Sequence, residues 1–150
     1  MSERQVIARN YFTRGHNCAQ SVLLAYSDKL QMNEKELRAI TSGFGGGMGK
    51  LQLTCGSVTG AFMVFSLLAE KKSKDNAEAK ELANSLIQEF ERKFVAETGS
   101  LSCMNILGVD MNTVEGMKIA REKDLFATVC VDAVKNAVAT VDEIIINKNL

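Results

Sequence analysis

Apolar residues recur every three to four positions along nearly the whole chain, the spacing of one face of an α-helix. Residues 2–14 carry Val6, Ile7, Tyr11 and Phe12 in that register, and residues 18–30 continue it with Val22, Leu23 and Tyr26. Asn33 followed by Glu36 has the form of a capping box: the first side chain accepts from the N–H three residues on, and the Glu reaches back. The helix so opened runs to about Ser42 and stops at Gly43. Residues 55–72 then place Val58, Phe62, Phe65 and Ala69 on one face. Asp75 followed by Glu78 opens a long amphipathic helix whose Leu82, Leu86, Phe90 and Phe94 lie four apart, and Gly99 ends it. A short helical turn at 103–107 precedes Gly108. A less regular helix covers 113–121, and residues 124–147 close the chain with Val129, Ala133, Ala137, Val141 and Ile145 as a stripe. No two alternating runs flank a turn, so no hairpin competes. The pattern predicts an all-α protein, one helical bundle of about six to seven helices spanning residues 1–150.

Composition agrees with a soluble globular chain. The 150 residues suffice for one core, and 46% are hydrophobic while 24% are charged. Lys plus Arg total 18 and Asp plus Glu total 18, so no global basic field points to nucleic acid or an anionic membrane. The opening MSERQVIARN lacks the basic-then-apolar layout of a secretion signal. Residues 51–69 form an uncharged run, but Gln52, Thr54, Gly56, Ser57, Thr59, Gly60 and Ser66 interrupt it. Its apolar part is too short to span a bilayer, so it is expected to be a buried helix. Cytoplasmic location follows as the expectation. The charged face of the 75–98 helix reads as solvated surface, and the apolar helices leave a homodimer open.

Candidate chemistry gathers in GFGGGMGKLQLTCGSVTG, residues 43–60, which holds seven of the eleven glycines around Cys55. A phosphate loop requires Gly, four residues, then Gly-Lys-Ser/Thr. Here Phe44 occupies the first glycine position and Leu51 the hydroxyl position beside Gly49-Lys50. The dinucleotide pattern fails at Met48. So dense a glycine run implies positive φ angles or close backbone approach to a neighbour, and Gly45, Gly46, Gly47 and Gly49 are candidates to face a bound group.

The four cysteines stand at 18, 55, 103 and 130 with no CxxC, which argues against a zinc ribbon or a thioredoxin motif. Asn17, Thr54 and Ser102 precede three of them as candidate N-caps. At the first helical position the dipole and free N–H groups favour the thiolate, the form that attacks disulfides and binds metals. Cys130 lies inside the last predicted helix near Val134, Ala137 and Val141 and reads as core. His16, the only histidine, is a candidate base or ligand near Cys18.

Cys55-Gly56-Ser57-Val58-Thr59-Gly60 resembles the Cys-Gly-Ala-x-x-Gly signature of the C_GCAxxG_C_C family, whose name assigns redox activity without a reaction. That family has small single-domain chains with one cysteine near the N-terminus, one in the motif after a glycine-rich stretch, and two downstream. Cys18, Cys55, Cys103 and Cys130 follow that order over most of the chain. Ser57 stands where the family usually has Ala, adding a hydroxyl near Cys55. Frequent proximity of family members to transporter genes implies a transport-linked or metal-handling role.

The combined reading is a spatially assembled four-cysteine redox centre. The leading form is thiol–disulfide exchange, with Cys55 as attacking thiolate and Cys18, Cys103 or Cys130 resolving. The alternative is an iron–sulfur cluster or a metal ion held by Cys18, Cys55, Cys103 and Cys130. A third is a non-catalytic helical binding or assembly protein with core cysteines. The redox partner is unspecified, and whether the protein is an enzyme is left open.

Overall fold

The computed structural model describes all 150 residues. Nine α-helices follow one another: α1 Glu3–Thr13, α2 Cys18–Leu24, α3 Ser27–Leu30, α4 Glu34–Thr41, α5 Gly56–Lys72, α6 Asn76–Thr98, α7 Cys103–Leu107, α8 Val114–Glu122 and α9 Val131–Lys148. A π-helical turn, Phe126–Cys130, leads directly into α9. The all-α class holds, and no helix is long and apolar enough to cross a membrane. The expected six to seven helices are corrected to nine.

The 18–30 segment shows why periodicity undercounts. Tyr26 leaves the helical region at φ −112° and ψ 11°, dividing α2 from α3. Its ring is fully buried under the Arg4 guanidinium, 4.8 Å from the ring centroid. Its hydroxyl donates to Asp142 Oδ1 at 2.8 Å and lies 3.2 Å from the Val138 carbonyl, both on α9. A tertiary anchor, not a local breaker, ends α2. Tyr26→Phe is expected to cost about 1–2 kcal/mol, because buried acceptors lose their donor. At about 2–4 °C per kcal/mol for a chain of this size, the thermal midpoint read by circular dichroism falls accordingly. An unchanged midpoint would remove the anchor from the account.

Helix α5 is the centre of the bundle and packs against α2, α6 and α9. Its Phe65, with Phe62, meets Phe90 edge-on at 5.9 and 5.8 Å, and Phe90 stacks on Phe94 at 5.2 Å. This aromatic cluster lies on the face that Leu86, Phe90 and Phe94 present from α6, as the four-residue spacing predicts.

Two glycines one turn apart set how α5 meets α2. A methyl group at Gly60 would stand 2.8 Å from the Ala19 carbonyl, and one at Gly56 would stand 3.0 Å from Cys18 Cβ. Without side chains there, the two backbones approach closely and the start of α2 lies beside the start of α5. A second device works at the same end. Thr54 and Ser102 form a lone antiparallel bridge, with Cys55 N–H donating to the Leu101 carbonyl at 2.8 Å and Cys103 N–H to Leu53 at 2.7 Å. The start of α7 is thereby held against the start of α5.

Candidate functional site

These two contacts bring together cysteines that are far apart in sequence. Cys18, Cys55, Cys103 and Cys130 all line one cavity of about 390 Å³, and all are free thiols. Cys18 is the first residue of α2, whose N-cap Asn17 accepts from Gln20 N–H at 2.8 Å while the Gln20 side chain returns the bond. Cys103 is the first residue of α7 behind Ser102. Cys130 ends the π-helical turn. The expected cap at Thr54 is corrected: Cys55 itself is the N-cap of α5, with no side-chain cap bond, because Thr54 is taken up in the bridge to Ser102. The Cys55 sulfur lies 2.9 Å from Ser57 Oγ, so the hydroxyl that replaces the family's usual Ala contacts the motif thiol. No three His, Cys, Asp or Glu side chains stand together closely enough to hold one metal ion.

His16 is not part of the wall. Its Nδ1 lies 3.1 Å from the Tyr11 carbonyl and its ring meets the Tyr11 ring edge-on at 5.1 Å.

The glycine loop forms one side of the cavity through Gly46, Gly47 and Lys50, whereas Gly45 and Gly49 do not line it. From Gly46 to Lys50 every residue has φ between 58° and 72°, and Gln52 repeats it at 54°. The backbone coils left-handedly, closed by Gln52 N–H to the Gly46 carbonyl at 3.0 Å and Leu53 N–H to Gly47 at 2.9 Å. Met48, Lys50 and Gln52 adopt a conformation that costs a residue with a Cβ about 1–2 kcal/mol. The buried Gln52 side chain holds the coil in place, donating to the Val109 carbonyl at 2.9 Å and accepting from Met111 N–H at 2.7 Å. Gly47 approaches a cysteine closely: a methyl group there would stand 2.6 Å from Cys103 Cβ and 2.6 Å from Gln52 Cα. Through Gly47 the loop packs against Cys103.

Burial opposes the thiolate that the helix starts at Cys55 and Cys103 would favour. Cys55 is pushed up from the ordinary thiol range chiefly by burial, with Ser57 offsetting part of the effect. Burial likewise raises Cys103 to about 12. Cys18 is raised well above the ordinary value, first by its interaction with Cys130 and then by burial. Cys130 alone is lowered, because the proton held by Cys18 stabilises its thiolate. Cys130, which reads as core in the sequence, is the one thiol of the four whose surroundings shift it downward.

Sequence reasoning also misses the rest of the wall. Phe12 from α1, Met117 and Arg121 from α8, and Phe126 from the π-turn close the cavity. No periodic signal marks the π-turn, and Arg121 reads locally as an ordinary cation near a helix end. Both become visible only when α8 and α9 are placed.

Fold and cavity together define an all-α protein built around four converging thiols. The chain belongs to the family described as "Putative redox-active protein (C_GCAxxG_C_C)", whose model matches residues 16–144 and so takes in all four cysteines. No curated protein and no solved structure matches it.

Proposed function

We propose that the protein performs thiol–disulfide exchange with Cys130 as the attacking thiolate and Cys18 as the resolving thiol. The supporting observation is the coupling of these two thiols inside the cavity, which lowers Cys130 and raises Cys18. The Cys130 thiolate attacks one sulfur of a disulfide R–S–S–R′. A Cys130–S–R′ bond forms, the S–S bond breaks, and RS⁻ leaves. With the Cys130 charge gone, the main influence holding the proton on Cys18 is gone too. That proton passes to RS⁻, and the Cys18 thiolate attacks Cys130 Sγ, releasing R′S⁻, which takes a proton from water. The protein loses two electrons as a new disulfide, and the substrate gains them as two thiols. Cys55 and Cys103, held neutral by burial, complete the wall.

The experiment is to expose the reduced protein to a small disulfide, trap free thiols and map the new linkage by mass spectrometry. A Cys18–Cys130 linkage is the expected product. A disulfide that includes neither residue overturns the assignment.

One observation favours a second reading: four cysteines from four elements ring a single cavity, with the Gly47 backbone against Cys103. Cys18, Cys55, Cys103 and Cys130 would hold an iron–sulfur cluster, which would supply one-electron transfer. A charge-transfer band in the anaerobic visible spectrum, lost on replacing any of the four, would put this reading in place of the first.

A further inference from the structure

The only cationic residues on the cavity wall are Lys50 and Arg121; no carboxylate lines it. They come from different elements, the glycine loop and α8. The Lys50 stem folds back over Gly46, where a methyl group would stand 2.9 Å from its Cγ. Lys118 and Glu122 on α8 pair with each other at 3.8 Å, whereas Arg121 and Lys50 take part in no ion pair. Two unpaired cations beside an apolar cavity are a site for negative charge. Phe12, Met117 and Phe126 on the same wall suit methylene groups. At about 390 Å³ the cavity is of small-molecule size.

We infer that this cavity selects small disulfides that carry carboxylates, with Lys50 and Arg121 binding those carboxylates while the thiols react. The inference rests on the thiol–disulfide reading above. Attack of a thiolate on an anionic disulfide brings like charges together, and the two cations offset that repulsion on approach.

The test uses the full reduced chain and three symmetrical disulfides of similar length: dithiodipropionate, bis(hydroxyethyl) disulfide and cystamine, which are anionic, neutral and cationic. The rate of Cys18–Cys130 linkage is divided by the rate of the same disulfide with a free thiol, which removes leaving-group differences. At low salt the normalised rate is expected to be at least about tenfold higher for the anionic probe than for the cationic one. Added salt compresses that ratio. The double variant Lys50→Gln, Arg121→Gln brings it toward unity; both side chains are exposed, so the fold is not at stake. Equal normalised rates, or preference for cystamine, overturn the inference and leave the exchange reading standing. Absence of the linkage with all three probes overturns the exchange reading itself.

Discussion

Replacing Cys130 with serine is expected to slow oxidation by a small disulfide at least about a hundredfold, because the attacking thiolate is removed and a hydroxyl does not substitute for it at neutral pH. Cys18→Ala acts differently. It leaves the attacker but removes the proton that stabilises the Cys130 thiolate. Mixed disulfide then accumulates on Cys130 and is not resolved. The pH dependence separates the two roles. In the unmodified protein the attack rate rises with pH as Cys130 loses its proton, with a midpoint below that of an ordinary cysteine. In Cys18→Ala the midpoint moves upward, so the relative loss of rate is greatest on the acid side. Stopped-flow trapping of the mixed disulfide across a pH series gives both numbers. If Cys55→Ser causes the larger loss, attack belongs to Cys55 despite its burial.

The second large effect concerns the glycine loop. Gly47→Ala is expected to destabilise the protein by about 3 kcal/mol, the sum of forcing a Cβ into left-handed backbone and overpacking a closed contact. At φ 72° the added methyl meets Cys103 Cβ, Gln52 Cα and Leu53 N, and the last two are backbone atoms of the same coil that cannot swing aside. Gly43→Ala is the control: Gly43 has no positive φ and nothing within 4 Å of the added atom. Its change should stay within about 0.5 kcal/mol. Chemical denaturation of the two variants decides the matter. Equal stability would show that the coil yields around Gly47 and does not hold Cys103.

Much of the fold is legible in the chain. The Asp75 cap, the Gly99 stop and the stripe Leu86, Phe90 and Phe94 appear as predicted, since a cap and a 3.6-residue period are local properties. The same locality explains the miss at Tyr26, where bonds to Val138 and Asp142 end a helix that its own neighbours would continue. For the site, the four cysteine positions and the capped starts at Asn17 and Ser102 are readable, and so is the reason for dense glycine. The Thr54–Ser102 bridge is not, because a single pair of strand residues leaves no alternating pattern.

The sequence by itself determined that this is an all-helical chain with four reactive-type side chains and a loop few other residues could build. Those are matters of spacing, capping and backbone freedom. Only the tertiary structure decided which thiols lie beside one another and how deeply each is buried. A thiol's acidity depends on how much water reaches it and on which proton lies beside it. Burial pushes Cys55 and Cys103 up, and it takes the packing of α9 and its π-turn beside α2 to bring Cys130 to Cys18.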